Sequence, residues 1–250
     1  MGVLKDIQFQ DESKEIKTKV KSYWTKRADT FAGARHEEFH SVQGQYWFEE
    51  ISKNLQVCEG MKVLDVGCGT GFFEAVLGSR GAQVTGIDLT PDMITEGKKL
   101  LARHGIDAQL LVMDAENPDF PDETFDLVIS RNLTWTLPDP IHAYREWHRV
   151  LKTGGILLNF DAEYAKNFHN YDQKQNIAHK DLDEALIEEC HDIYHMLTMS
   201  TLPRPAWDET VLREIGFREI TTDLMVSTRI YREQNQFYVP DPVFSIRAVK

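Results

Sequence analysis

The chain has 250 residues, 42% of them hydrophobic, with 28 Lys and Arg against 40 Asp and Glu for a formal net charge of −12. That is enough apolar mass for one sizeable core, and an acidic surface repels phosphate backbones, which disfavours a nucleic-acid partner. Scattered Cys58, Cys68 and Cys190 make no disulfide framework and no apolar run approaches membrane-spanning length, so a cytoplasmic domain without membrane attachment is expected.

The N-terminus, MGVLKD, has no apolar targeting run. Ile16, Val20, Tyr23, Trp24, Ala28 and Phe31 recur at helical spacing and predict a helix over 12–31; Phe39, Tyr46, Trp47 and Ile51 predict a second over about 36–55. Met61 to Gly71 then reads as a buried strand, Val63, Leu64 and Val66, running into a turn with glycines at 67, 69 and 71. Such a turn lets the backbone approach a ligand closely, and the helix beyond it, with Phe73, Val76 and Leu77 on its apolar face, would wall a nucleotide site.

Gln83 to Asp88 is a second strand ending in an acid 21 residues after Gly67, the place of an acceptor for a ribose diol. Pro91 to His104 reads as a helix with Met93, Ile94, Leu100 and Leu101 inward, and Ala108 to Met113 as a third strand ending in Asp114-Ala115. Phe125 to Ser130 is a fourth strand. A helix bearing Ala143, Trp147, Val150 and Leu151 follows, Lys152 to Gly155 mark its end, and Ile156 to Asp161 is a fifth strand. Strand and helix in alternation imply a parallel sheet. Residues 162–206 are too long for a tight connection and are read as a cap, whose helix puts Leu182, Leu186, Cys190, Ile193 and Leu197 on one face and Glu184, Glu188, His191 and His195 on the other. Trp207 to Ile215 closes as a short helix, with strands at Arg218–Leu224 and Val243–Val249.

Asp65-x-Gly67-x-Gly69-x-Gly71 resembles motif I of class I S-adenosylmethionine-dependent methyltransferases. A dinucleotide fingerprint would place a small residue where this chain has Phe72. The segment Asp126 to Asp161, with SRNLTWTLPDP and WHRVLKTGGILL, resembles the small-metabolite, quinone-biosynthesis group of that family, and the resemblance extends over about residues 20–161. It implies an α/β fold: a Rossmann-like, seven-stranded, mostly parallel sheet with helices on both faces, an N-terminal helical lead-in and an inserted helical cap. The whole chain is then one domain, divided into 1–58, 59–161, 162–206 and 207–250.

The resemblance further implies S-adenosyl-L-methionine as cofactor and a small-molecule methyl acceptor. Asp65 lies where a ligand ammonium would sit, Asp88 at the ribose, Asp114 at the adenine amino group with Met93 along its edge, and Tyr23 as an aromatic cover. Gly67, Gly69, Gly71, Leu89, Ala115 and Asn132 complete the expected cofactor set. Methyl transfer from a sulfonium is in-line displacement and carries no sequence motif for a base. Candidates near the cavity are Tyr23, Asn132, Trp135, Asp161, Tyr164, His169 and Tyr171, with His36 and His40 more remote. No metal is expected: a polar stripe such as His191 and His195 opposite an apolar one is ordinarily the solvated side of a helix. Two other readings stay open, an NAD(P)-dependent oxidoreductase and a non-catalytic protein that keeps the cofactor site.

Overall fold

The computed structural model describes residues 13–167, 177 and 182–250. Of the two helices expected over 12–31 and about 36–55, the first, α1, spans Ser13–His40, so the break between them falls later than expected. Gly33 is exposed and leaves it intact; the break comes at Ser41, whose hydroxyl accepts from the Gln43 N–H at 3.0 Å and caps α2, Val42–Ser52.

The core then alternates as β1 (Lys62–Val66), α3 (Phe72–Gly78), β2 (Gln83–Asp88), α4 (Pro91–Arg103), β3 (Gln109–Val112), β4 (Phe125–Arg131), α5 (Pro140–Val150) and β5 (Leu151–Asp161). The alternation lapses once, because β3 passes to β4 without a helix. Lys152 to Gly155, expected to end a helix, already belong to β5: the N–H of Gly154 donates to the Lys250 carbonyl and that of Lys250 to Gly155, both at 3.0 Å, so pairing with the chain end keeps them extended. Beyond β5 come α6 (Tyr164–Asn167), α7 (Glu184–Met196), α8 (Ala206–Ile215), β6 (Arg218–Asp223), α9 (Val226–Ile230) and β7 (Phe244–Val249). The α9 turn carried no sequence signal long enough to read.

The strands form one seven-stranded sheet in the order β3-β2-β1-β4-β5-β7-β6. The four pairings from β3 to β5 run parallel, and β7 lies antiparallel to both β5 and β6. The reversed strand, β7, therefore lies one place inside the sheet edge. Alternate residues of the strands face opposite layers: Val63, Leu127 and Ile129 pack with α2 and α3, Leu64, Val66 and Val128 with α5 and α8. Trp47 and Phe73 on one side and Trp147 on the other are fully buried. Each such side chain contributes roughly 1.5–3 kcal/mol or more by leaving water.

α1 crosses the carboxyl ends of the strands. α7 packs on it through Leu186, Cys190, Ile193 and Leu197, which meet Ile16, Tyr23 and Trp135 in a separate apolar cluster. Glu184, Glu188 and His195 on the other side of α7 are exposed. Among the described residues no helix is long and apolar enough to cross a membrane, and all three cysteines are free.

Candidate functional site

Open α/β sheets leave a crevice beyond the carboxyl ends of the strands where the order reverses. Here that point lies between β1 and β4, and it opens into a cleft of about 200 Å³ that is partly open to solvent.

The turn after β1 forms one wall. Gly67 has φ +71° and Gly69 φ +54°, left-handed conformations that side chains avoid. A Cβ at Gly67 would also come within 2.7 Å of Leu133, and one at Gly69 within 3.2 Å of the Phe31 ring. Beside the turn, Asp88 ends β2: its carboxylate accepts the Gly69 N–H at 3.0 Å and the Thr90 N–H at 2.8 Å. Each oxygen keeps a lone pair for a ligand hydroxyl. Burial pushes this carboxyl above the usual range, while the two N–H groups pull it down.

Behind the turn sits an acid pair. Asp65 and Glu74 are buried and touch; burial drives both upward, Asp65 to about 7 and Glu74 well above its ordinary value. No N–H or O–H from the other described residues reaches Glu74, so the pair holds together by sharing a proton. The Glu74 carboxyl fills the space left by the missing side chain of Gly86.

The opposite wall is cationic. Glu38, fully buried, pairs with Arg35 at 2.5 Å and Arg131 at 2.9 Å and accepts the Trp47 indole N–H at 3.0 Å. Two guanidiniums share one carboxylate, which leaves a positive charge beside the cleft. Arg131 is stacked 4.1 Å over the Trp47 ring. Among the described residues, the Nε atoms of Arg27 and Arg35 are buried without a hydrogen-bond partner. Both residues line the cleft, where an anion would satisfy them.

Aromatic rings complete the lining: Trp135 meets Tyr164 and Tyr194 at centroid distances of 5.5 and 4.7 Å, and Trp24 meets Phe31 at 5.3 Å. Tyr231 and Phe237 close the far side. Burial pushes the Tyr23, Tyr164, Tyr194 and Tyr231 phenols upward, Tyr231 to about 12. These phenols stay protonated and can donate a hydrogen bond.

The residues singled out in the sequence separate as follows. Tyr23, Asp65, Gly67, Gly69, Asp88, Leu89, Met93, Asp114, Ala115, Asn132, Trp135 and Tyr164 all face the one cleft. Asp114 arrives already engaged, with Lys17 of α1 at 2.7 Å. Asn132, at φ +57°, accepts the Tyr164 hydroxyl at 2.7 Å. Gly71 is set back from the wall as the N-cap of α3.

Asp161 departs from expectation. It is fully buried behind the lining, accepting from Thr134 at 2.7 Å, Trp135 N–H at 3.0 Å, Ala162 N–H at 2.9 Å and Arg204 at 2.8 Å. Those bonds fix the loop that carries Trp135 and leave no lone pair aimed at the cleft. His169 and Tyr171 lie outside the described residues. His36 and His40 sit beyond the cleft, next to His104.

Sequence reasoning missed Arg27, Arg35 and Arg131. Arg27 and Arg35 sit on helical faces where arginine is ordinarily solvated, and their signal exists only once α1 is laid across the sheet. Tyr231 and Phe237 come from a segment with no periodicity at all.

A methyltransferase domain family model matches residues 64–159. The chain is similar to aklanonic acid methyltransferase DauC of Streptomyces sp. (strain C5), 43% identical over 38% of this chain and 46% of that protein. It is also similar to demethylmenaquinone methyltransferase of Staphylococcus epidermidis, 38% identical over 46% of this chain and 49% of that protein. The chain thus spans about half the length of the curated relatives it matches. Among solved structures, Haemonchus contortus phosphoethanolamine N-methyltransferase 2 in complex with S-adenosyl-L-methionine superposes with a TM-score of 0.59 at 19% identity, over 82% of this chain and 52% of that one. That likeness shows the fold.

Proposed function

We propose that this chain, which belongs to the class I S-adenosylmethionine-dependent methyltransferases, transfers a methyl group from that cofactor to a small apolar acceptor. The observation that carries the reading is the convergence, on one cleft, of the glycine turn, the Asp88 carboxylate and the unpartnered guanidinium N–H groups of Arg27 and Arg35. A zwitterionic amino acid joined to a nucleoside presents the complementary groups. The oxidoreductase reading loses its support: Phe72 occupies the place of a small residue, and the matched family is one of methyltransferases.

The residues fit the cofactor in their own terms. Asp88 would hold the ribose hydroxyls, with Leu89 and Met93 against the base. Asp65 would face the ammonium, and Arg27 or Arg35 the carboxylate. Asp114 would accept from the adenine amino group, releasing or sharing Lys17. When bound, S-adenosylmethionine supplies a methyl group on a sulfonium, a leaving group that needs no proton.

This chain's part is therefore to align the acceptor and exclude water. Trp135, Tyr164 and Tyr194 offer flat apolar walls beside Asn132, suited to a ring-bearing acceptor. α7 covers that side as a lid, resting on α1. The reading takes the protein as working in the cytoplasm.

The test is turnover. Incubation with methyl-labelled donor and a metabolite extract, followed by mass spectrometry, should yield labelled product together with S-adenosylhomocysteine. Cofactor binding by calorimetry without any transfer across acceptor classes would overturn the catalytic part of this reading.

A further inference from the structure

At the far end of α1, outside the cleft, three imidazoles converge. His36 and His40 lie one helical turn apart in the last turns of α1, and His104 immediately follows α4. Nε2 of His104 is 3.1 Å from Nδ1 of His36 and 3.3 Å from Nε2 of His40, and the three atoms all lie within 4.8 Å of one another.

A neutral imidazole has one N–H and one lone pair. In either tautomer, Nε2 of His104 makes a single well-aligned hydrogen bond, which leaves one of the other two nitrogens facing it without a good partner. A metal ion accepts all three lone pairs at one point. Zinc–nitrogen bonds of roughly 2.0–2.1 Å in a tetrahedron put the nitrogens roughly 3.3–3.4 Å apart. The observed 3.1 and 3.3 Å are close to two edges of that tetrahedron.

We propose that His36, His40 and His104 form a binding site for a divalent transition metal, zinc fitting best, with a water in the fourth position. Imidazole nitrogen is the ligand type this ion favours. The exposed flank at His40 gives it entry and room for the water. Both α1 and α4 end here, so their negative dipole ends point at the cation, against which stands the charge of Arg103.

The ion would tie α1 to α4. α1 carries Lys17, Tyr23, Arg27 and Arg35 into the cleft, and α4 begins just after Asp88. The clip thus fastens the helix that closes the cleft to the strand end that walls it, whatever ligand the cleft takes.

The experiment uses the full chain after chelator treatment. Zinc is titrated in competition with a chromophoric chelator, cobalt spectra report coordination geometry, and thermal unfolding is followed with and without zinc. Expected are one ion per chain, an intense visible cobalt band of tetrahedral type, and an upward shift of the melting temperature. His40→Ala and His104→Ala should each weaken binding by roughly 100-fold, the share of one ligand in a multi-ligand zinc site, and abolish the thermal shift.

The pair His191 and His195, whose Nε2 atoms are 3.0 Å apart on α7, is the control. The double variant His191→Gln, His195→Gln should bind as the unaltered chain does. Absence of binding, binding unchanged in both His40→Ala and His104→Ala, or loss of the ion in the His191/His195 variant would each overturn the proposal. His40 is exposed, so its variant retains the fold and keeps the comparison clean.

Discussion

Replacing Asp88 by alanine removes one group that serves the loop and the ligand together. In the free protein its carboxylate accepts from Gly69 at 3.0 Å and Thr90 at 2.8 Å, so the variant loses two charge-assisted bonds and leaves two N–H groups at the cleft edge. Water can reach that edge and replaces part of the loss, which sets the cost in stability at about 1–3 kcal/mol. A hydrogen bond from a neutral hydroxyl to a charged acceptor contributes about 1.5–3 kcal/mol, so loss of the ribose contacts should weaken cofactor binding by roughly 10- to 150-fold. Calorimetric titration with S-adenosylhomocysteine measures the second effect and urea denaturation the first. Asp88→Asn should fall between, since it keeps one acceptor but turns an amide N–H toward a backbone N–H. A folded Asp88→Ala protein with unaltered affinity would refute the assignment and the convergence argument built on it.

Four further outcomes follow from other parts of the molecule. Burial raises Asp65 to about 7, against 3.8 for an unperturbed Asp, and Glu74 well above its ordinary value, so the folded state binds more protons than the unfolded chain across that window and its stability falls as pH rises through it. Glu74→Gln should flatten that slope, as denaturant midpoints from about pH 5 to about pH 8 would show; an unchanged slope would mean the pair does not share a proton. Arg204→Met strands the buried carboxylates of Asp161 and Asp208 and should cost about 3–5 kcal/mol in urea denaturation, an effect under about 1 kcal/mol contradicting the network. Gly86→Ala puts a methyl onto the Glu74 carboxyl and within 2.8 Å of Leu110; a cost of about 1–3 kcal/mol is expected, reduced in a Glu74→Ala background, and no such rescue would disprove the contact. Gly69→Val forces a branched side chain into a left-handed turn against Phe31 and should abolish cofactor binding in calorimetry, so normal binding would remove the turn from the site.

The sequence by itself determined the elements whose signal is local. Apolar β-branched runs ending in glycine, proline or acid gave the strands from Lys62 to Asp161, and the spacing from Gly67 to Asp88 placed both at the carboxyl ends of adjacent parallel strands. That is one periodicity and one chain direction, both written in consecutive residues. Tertiary structure alone decided which long-range partners each polar group acquired. Asp161 ends its strand as the other acids do, yet Arg204, 43 residues on, turns it into a buried brace for the Trp135 loop. Arg27 and Arg35 carry no local signal of a site; only the crossing of α1 over the sheet desolvates them beside the cleft. His104 joins His36 and His40 from 64 or more residues away because two helices happen to end side by side. Local periodicity fixes which face of an element is apolar; only packing fixes which charge, ring or lone pair meets it from the other side.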